Sequence, residues 1–162
     1  MNALKGLKEF VEREVAAGIR LEHPERGMVP PAVFTGYVPP KNHLPEGYDI
    51  PGILICIDKG VEGDSDATLT IRMILAVYSE GTHTADGMRP DAKGYEDLLN
   101  LNDRIIERLT RHGVIPGAGT VQKPITWELY EEQPAAYWYS WLVFNLSAIC
   151  RDMVNTEYQQ HL

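Results

Sequence analysis

The chain has 162 residues, the size of one ordinary domain, and a folded chain of that length buries roughly 70% of its unfolded surface, so a core can form without disulfide or metal staples. Fifteen Lys and Arg against 23 Asp and Glu give a formal net charge of -8 and a pI near 5.1, which excludes a protein whose whole surface embraces nucleic acid or anionic lipid. The composition, 44% apolar and 23% charged, is globular, and no apolar run approaches the roughly 20 residues of a membrane span, so a soluble protein with no membrane partner is expected.

Leu4, Leu7, Val11 and Val15 recur at helical spacing with Phe10 alongside and Lys8, Glu9, Glu12 and Arg13 elsewhere, which predicts an amphipathic helix that Asn2 can cap and Gly18 can end. This start lacks the uninterrupted apolar stretch of a secretory leader, and a cytoplasmic site of synthesis follows as the expectation. Seven of the eleven prolines fall between residues 24 and 51, so that segment reads as an extended arm, with Ala32 to Val38 as an edge strand at most. Flanked by proline pairs, the arm is either laid along its own domain or offered to a neighbour, with Phe34 and Tyr37 as its candidate contacts.

Residues 52 to 57 are a continuous apolar run of strand length, followed by an acidic turn from Asp58 to Asp66. Residues 67 to 78 then alternate, with Leu69, Ile71, Met73, Leu75 and Val77 on one face, and complete a hairpin. Ser79 to Lys93 is a polar loop with two glycines and a proline. From Gly94 the period becomes helical: Leu98, Leu101, Ile105 and Leu109 form the stripe, Asp91 or Asp97 stands early, Arg108, Arg111 and His112 stand late, and Gly113 closes the helix. A loop over residues 113 to 119 leads to a second hairpin, in which Ile125, Trp127 and Leu129 alternate and residues 137 to 148 make a long strand, joined by residues 131 to 136. Residues 151 to 162 read as a short helical turn or a disordered tail.

The order helix, extended arm, hairpin, helix, hairpin defines one α+β domain over residues 1 to 162, a mainly antiparallel sheet with helices packed on one face. Its charge is uneven: residues 1 to 43 carry a net +1, residues 44 to 103 a net -8 and residues 104 to 162 a net -1. The carboxylates of the first turn and long loop (Asp58, Glu62, Asp64, Asp66, Glu80, Asp86, Asp91) are therefore expected on an exposed contact surface.

Sites of chemistry are harder to find. The five histidines (His23, His43, His83, His112, His161) show no metal spacing, and Cys56 and Cys150, both in apolar runs without a CxxC, read as buried reduced thiols. The Asp58, Glu62, Asp64, Asp66 cluster lacks the frame of a calcium loop, since position 69 is Leu. The glycine-rich segment 113 to 119 lacks the lysine and the helix that would cradle a phosphate, and no serine sits in a nucleophile elbow. No cofactor or metal is expected.

What is concentrated is aromatic: Trp127, Tyr130, Tyr137, Trp138, Tyr139, Trp141 and Phe144 are seven of the fourteen aromatic residues, within eighteen positions. Alternation puts Trp138, Leu142, Phe144 and Leu146 on one face of the last strand and Tyr137, Tyr139, Trp141 and Val143 on the other. One face is core. The other offers three large rings that either the helices or the arm cover, or that a partner covers.

The run from Gly94 to Leu109 (GYEDLLNLNDRIIERL), followed by Pro124 to Pro134 (PITWELYEEQP) and the pair Tyr137-Trp138, resembles small structural proteins encoded in the morphogenesis clusters of tailed phages and prophages, the tail-terminator, tail-completion or head-tail joining proteins. The likeness covers about residues 48 to 146 and rests on patterns of helix and aromatic strand. It implies an α+β subunit of the virion, assembled in the host cytoplasm into a ring, commonly a hexamer, that caps the tail tube and presents a surface to the head-tail connector; it carries no active site. Its candidate interface residues are Tyr137, Tyr139, Trp141, Asp58, Glu62, Asp64, Asp66, Asp86, Phe34 and Tyr37. Two other readings compete with this one: a host-side adaptor that binds peptides along the Ala32 to Val38 edge, and a small enzyme or ligand-binding domain with a pocket between the 94 to 112 helix and the sheet, with Glu128, Tyr130 or His112 at its mouth.

Overall fold

The computed structural model describes residues 2–89 and 92–149. The cap expected from Asn2, the placements of Asp91, Cys150 and His161, the side chain of His83, and the tail at 151 to 162 fall outside what is described.

Helix α1 (Asn2–Phe10) buries Leu7 and Phe10 as its spacing requires, continues as a π-helical turn over Val11–Val15, and ends in a 3-10 turn at Ala16–Gly18. The proline-rich arm follows. It holds a short antiparallel ribbon, β1 (Leu21–His23) with β2 (Gly27–Val29), then β3 (Ala32–Thr35) and a 3-10 turn at Lys41–His43. Next come β4 (Gly52–Glu62) and β5 (Asp66–Tyr78), a separate small ribbon of β6 (Thr82–Thr84) and β7 (Gly87–Arg89), helix α2 (Lys93–His112), and β8 (Val114–Ile115), β9 (Gly119–Leu129) and β10 (Tyr137–Ile149).

The fold is α+β. Its main sheet runs β3-β4-β5-β10-β9-β8 and is antiparallel except at one edge, where β3 lies parallel to β4. The arm is thus laid along its own domain, and Phe34 is not a surface contact: it is 6% exposed, packed with Ala32, Tyr48 and Leu54, because the Tyr48 hydroxyl donates to the carbonyl of Pro30 (2.6 Å) and closes the arm over it. Phe34 is therefore core, a correction to the sequence expectation, whereas Tyr37, 70% exposed, stands free.

The acidic segment is also more regular than expected. Strand β4 carries on through Glu62, and only residues 63 to 65 turn, with Gly63 N–H on the Asp66 carbonyl (2.8 Å). Asp58 is the extra residue of a bulge, since Ile57 pairs with Ile71 and Lys59 with Thr70. The long loop likewise contains the β6–β7 ribbon. In the last hairpin β9 starts at Gly119, because a second bulge sets residues 123 to 125 against Phe144 alone and so accommodates Pro124 in the strand.

One apolar cluster joins both helices to the sheet. Leu7, Phe10, Val11 and Val15 meet Leu98, Leu101, Ile105 and Leu109, and all eight pack with Ile53, Ile55, Ile71, Met73, Leu75, Val77, Leu142, Phe144 and Leu146. Cross-strand partners such as Ile53 and Leu75, or Met73 and Leu142, fix these side chains to the same sheet face. Each fully buried Leu, Ile or Phe contributes on the order of 1.5–3 kcal/mol. Within this apolar layer Asn102 is wholly buried; its Nδ2 donates to the Leu98 carbonyl (3.0 Å) and to Ser140 Oγ (2.9 Å), while its Oδ1 has no partner.

The end of the first helical segment is fastened to α2 by charge. Arg104 donates through Nε to the carbonyl of Val15 (2.9 Å) and through Nη2 to that of Glu14 (3.0 Å), taking acceptors that the irregular helix end leaves over. The Glu14 carboxylate meets Arg13 (3.2 Å), His112 (3.2 Å) and Arg108 (3.7 Å), and the contacts with Arg13, first, and His112 hold its carboxyl below the ordinary range.

Candidate functional site

Strand alternation places Leu54, Cys56, Arg72, Ile74, Ala76, Tyr137, Tyr139, Trp141 and Val143 on the sheet face opposite the helices. This face is apolar too. Its β3 end is covered by the arm, through Phe34 and Tyr48 on Leu54. Towards β10 and β9 the cover stops, and Tyr137, Tyr139, Trp141 and Val143 are each half-buried.

The uncovered part is a groove of about 810 Å³ lined by Arg72, Glu128, Leu129, Tyr130, Tyr139 and Trp141, with Glu131, Glu132 and Pro134 along its rim. Its floor is held by one side chain. Gln133 folds back into its own hairpin loop, donating from Nε2 to the carbonyls of Tyr130 and Tyr139 (both 2.9 Å) and accepting the Tyr139 N–H on Oε1 (2.7 Å). Tyr130 and Tyr139 are thereby stacked, with ring centroids 6.0 Å apart and planes 30° apart. Burial raises the Tyr139 hydroxyl above its ordinary range, so it remains a neutral hydrogen-bonding group.

The charges of the groove are unequal. Arg72, the cation in its lining, is already engaged by Asp58 (2.8 Å), whose carboxylate the β4 bulge turns towards it. Glu128, Glu131 and Glu132 are exposed and form no ion pair among the described residues. The groove therefore offers aromatic faces beside uncompensated negative charge, a combination that favours a cation.

The residues singled out from sequence are only partly brought together. Tyr139 and Trp141 share this groove; Tyr137 leans on Tyr78 (5.6 Å) and, with His23, Lys41 and Asp49, lines a neighbouring cleft of about 330 Å³. Asp58 belongs to the groove, but through Arg72. Glu62, Asp64 and Asp66 sit at the opposite end of the sheet, where Asp66 pairs with Ile149, ten positions along β10 from Tyr139 and about 33 Å away at 3.3 Å per residue. Asp86 is exposed in the turn of the β6–β7 ribbon, and Glu80 takes a hydrogen bond from the Tyr78 hydroxyl. The aromatic strip and the acidic turn are two separate surfaces. Glu131 and Glu132, the carboxylates that flank the aromatics, are not among the interface residues the sequence points to; their position next to Tyr130 in the joining loop is the signal that could have found them.

The pocket expected between α2 and the sheet is closed, because Leu98, Leu101, Ile105 and Leu109 fill that interface. His112 packs edge-on against Phe10 (5.3 Å), and Glu128 and Tyr130 lie on the other sheet face. Burial raises the half-buried Cys56 thiol, which disfavours the thiolate. Among the described residues no group of three His, Cys, Asp or Glu side chains could hold a metal ion, and no helix is long and apolar enough to cross a membrane. Comparison with protein-family models and with curated proteins returns no match.

Proposed function

We propose that the protein is a non-enzymatic structural subunit of a tailed-phage or prophage particle, a tail-terminator or tail-completion protein that forms a ring at the head-tail junction through contacts with itself, the tail tube protein and the connector. The observation that carries this reading is a sheet apolar on both faces, with a second face covered at one end by the arm and left open at the other over Tyr139 and Trp141. A half-covered aromatic face of this kind is completed in an assembly. Support also comes from the exposed Tyr37 and Val38 on the arm side of the sheet and Trp127 and Tyr130 on the β9 side, which give one copy two different apolar contacts, as a head-to-tail ring needs.

Sedimentation velocity and native mass spectrometry of the chain, alone and mixed with tail tube protein, test the reading. Discrete rings or a stable complex are expected; a chain that stays monomeric in the presence of tube protein overturns it. The adaptor reading keeps one favourable observation, an unpaired sheet edge, although at β3 that edge faces a narrow cleft of about 210 Å³ against Lys8, Glu12, Ala16 and Ala17.

A further inference from the structure

We propose that the outer edge of β9, over Thr126 to Leu129, together with the groove beside it, binds an extended basic segment of a partner protein as an added strand. Strand β8 pairs β9 only at Gly119 and Thr120, and Val121 N–H goes to the Gly113 carbonyl (2.7 Å). From Gln122 onward the outer side of β9 has no strand beside it among the described residues. The first part of that edge is closed to pairing by Lys123, by Pro124, which has no N–H, and by the bulge at residues 123 to 125. None of these devices protects Thr126 to Leu129.

The polarity of this short edge follows from the ladder. Tyr130 N–H bonds the Tyr139 carbonyl (3.1 Å), so by antiparallel alternation Glu128 and Thr126 also turn their backbone groups towards β10, and Trp127 and Leu129 turn theirs outward. An added strand would bond there. Its side chains would alternate between two environments. On the helix side stands the ring of Trp127, 42% exposed, next to Leu129. On the groove side stand Glu128, Tyr130, Glu131 and Glu132, with the Arg72 charge taken up by Asp58. The segment that fits carries Lys or Arg at alternate positions and apolar or β-branched residues between them. The carboxylates select the charge, the stacked tyrosines accept cations on their faces, and the Gln133 clamp means the loop is already ordered before binding. The site is complete in a single copy, and because it shares Trp127 and Tyr130 with the β9-side contact proposed for the ring, a neighbouring copy would compete with the segment for it.

The test uses the whole chain and the peptide Thr-Lys-Val-Lys-Val-Lys-Thr, blocked at both ends, with tryptophan fluorescence and calorimetry as readouts. The peptide is expected to bind about tenfold more tightly than its glutamate counterpart, to weaken by about the same factor on combined Glu128→Gln, Glu131→Gln and Glu132→Gln substitution, and to weaken as salt rises. N-methylation of its valines, which removes the ladder donors, should abolish binding. Circular dichroism checks that the triple variant, altered only at exposed side chains, keeps its fold. Equal binding of the acidic peptide, of the N-methylated peptide, or by the triple variant overturns the proposal. So does an edge occupied by a second copy, seen as concentration-dependent self-association that the peptide does not displace. Failure of ring formation alone leaves these results unchanged.

Discussion

Replacing Gln133 by alanine removes three hydrogen bonds at once and leaves the Tyr139 N–H without its acceptor. A neutral hydrogen bond contributes about 0.5–1.5 kcal/mol net. The bond to Tyr130 is exposed, and the Tyr139 carbonyl retains the Tyr130 N–H, so the two part-buried bonds at Tyr139 dominate and the loss comes to about 2 kcal/mol. For a chain of this length that corresponds to a fall of roughly 4–8 °C in Tm. Gln133→Glu separates the contributions, since it keeps the acceptor for Tyr139 N–H but sets a carboxylate against two carbonyls. It should cost at least as much as alanine. Urea denaturation monitored by far-UV dichroism gives the stability, and near-UV dichroism follows the Tyr130–Tyr139 pair, whose signal should fall under native conditions. A loss below about 0.5 kcal/mol for alanine, or a glutamate variant as stable as the parent, would refute the clamp.

Other perturbations address the core and the ionisable groups. Ser140→Ala and Asn102→Ala should each cost about 1–2 kcal/mol, and the double variant less than their sum, because removing both partners leaves no stranded polar group; a strictly additive cycle counts against the pair. Gly94→Ala puts a methyl into the Trp138 indole and should lose about 1–3 kcal/mol with a shifted Trp138 emission; an unaffected Tm would show that the contact yields. Burial, with the Glu80 hydrogen bond, lifts the Tyr78 hydroxyl from 10.0 to about 12, so the folded state holds its proton after the unfolded chain has lost it, and the stability present below pH 10 declines towards pH 12. Titration at 295 nm should show a late-ionising tyrosine that Tyr78→Phe removes. For Glu14, with its carboxyl held low, the contribution is present above its ordinary value of 4.5 and is lost as pH falls below it; Glu14→Gln should flatten the acid limb of a stability profile, and an unchanged limb would discount the contacts with Arg13 and His112.

Both helices were legible because their apolar residues keep a 3.6 period, and β5 and β10 because theirs keep a period of 2. The faces of β10 followed from alternation alone, whereas how far the arm reaches over Tyr139 and Trp141 did not. Elements held by pairing were not legible. Asp58 to Glu62 is polar and contains a glycine, so local preference says turn, yet residues 67 to 70 of β5 carry it as a strand. The Lys123-Pro124 pair interrupted the pattern of β9, whose earlier half depends on β10 and a bulge. Phe34 reads as an arm residue until Tyr48, fourteen positions on, closes over it. Asp58 is a free carboxylate by composition and an Arg72 partner by bulge geometry, which a period-2 reading does not show. Glu131 and Glu132 matter only because Gln133 folds the loop inward, a non-periodic event.

The Arg104 fork ties backbone to side chain across two elements far apart in sequence. The guanidinium lies so close to Gly18 that a Cβ there would overlap it, so the approach depends on that glycine. Neither helix can then fray by itself at this junction, since opening the turn at Val15 strands a half-buried cation and withdrawing α2 strands two carbonyls. Amides around residues 15 to 18 and those around Arg104 should exchange with solvent at a common rate, as one cooperative unit rather than as a helix end and a helix middle.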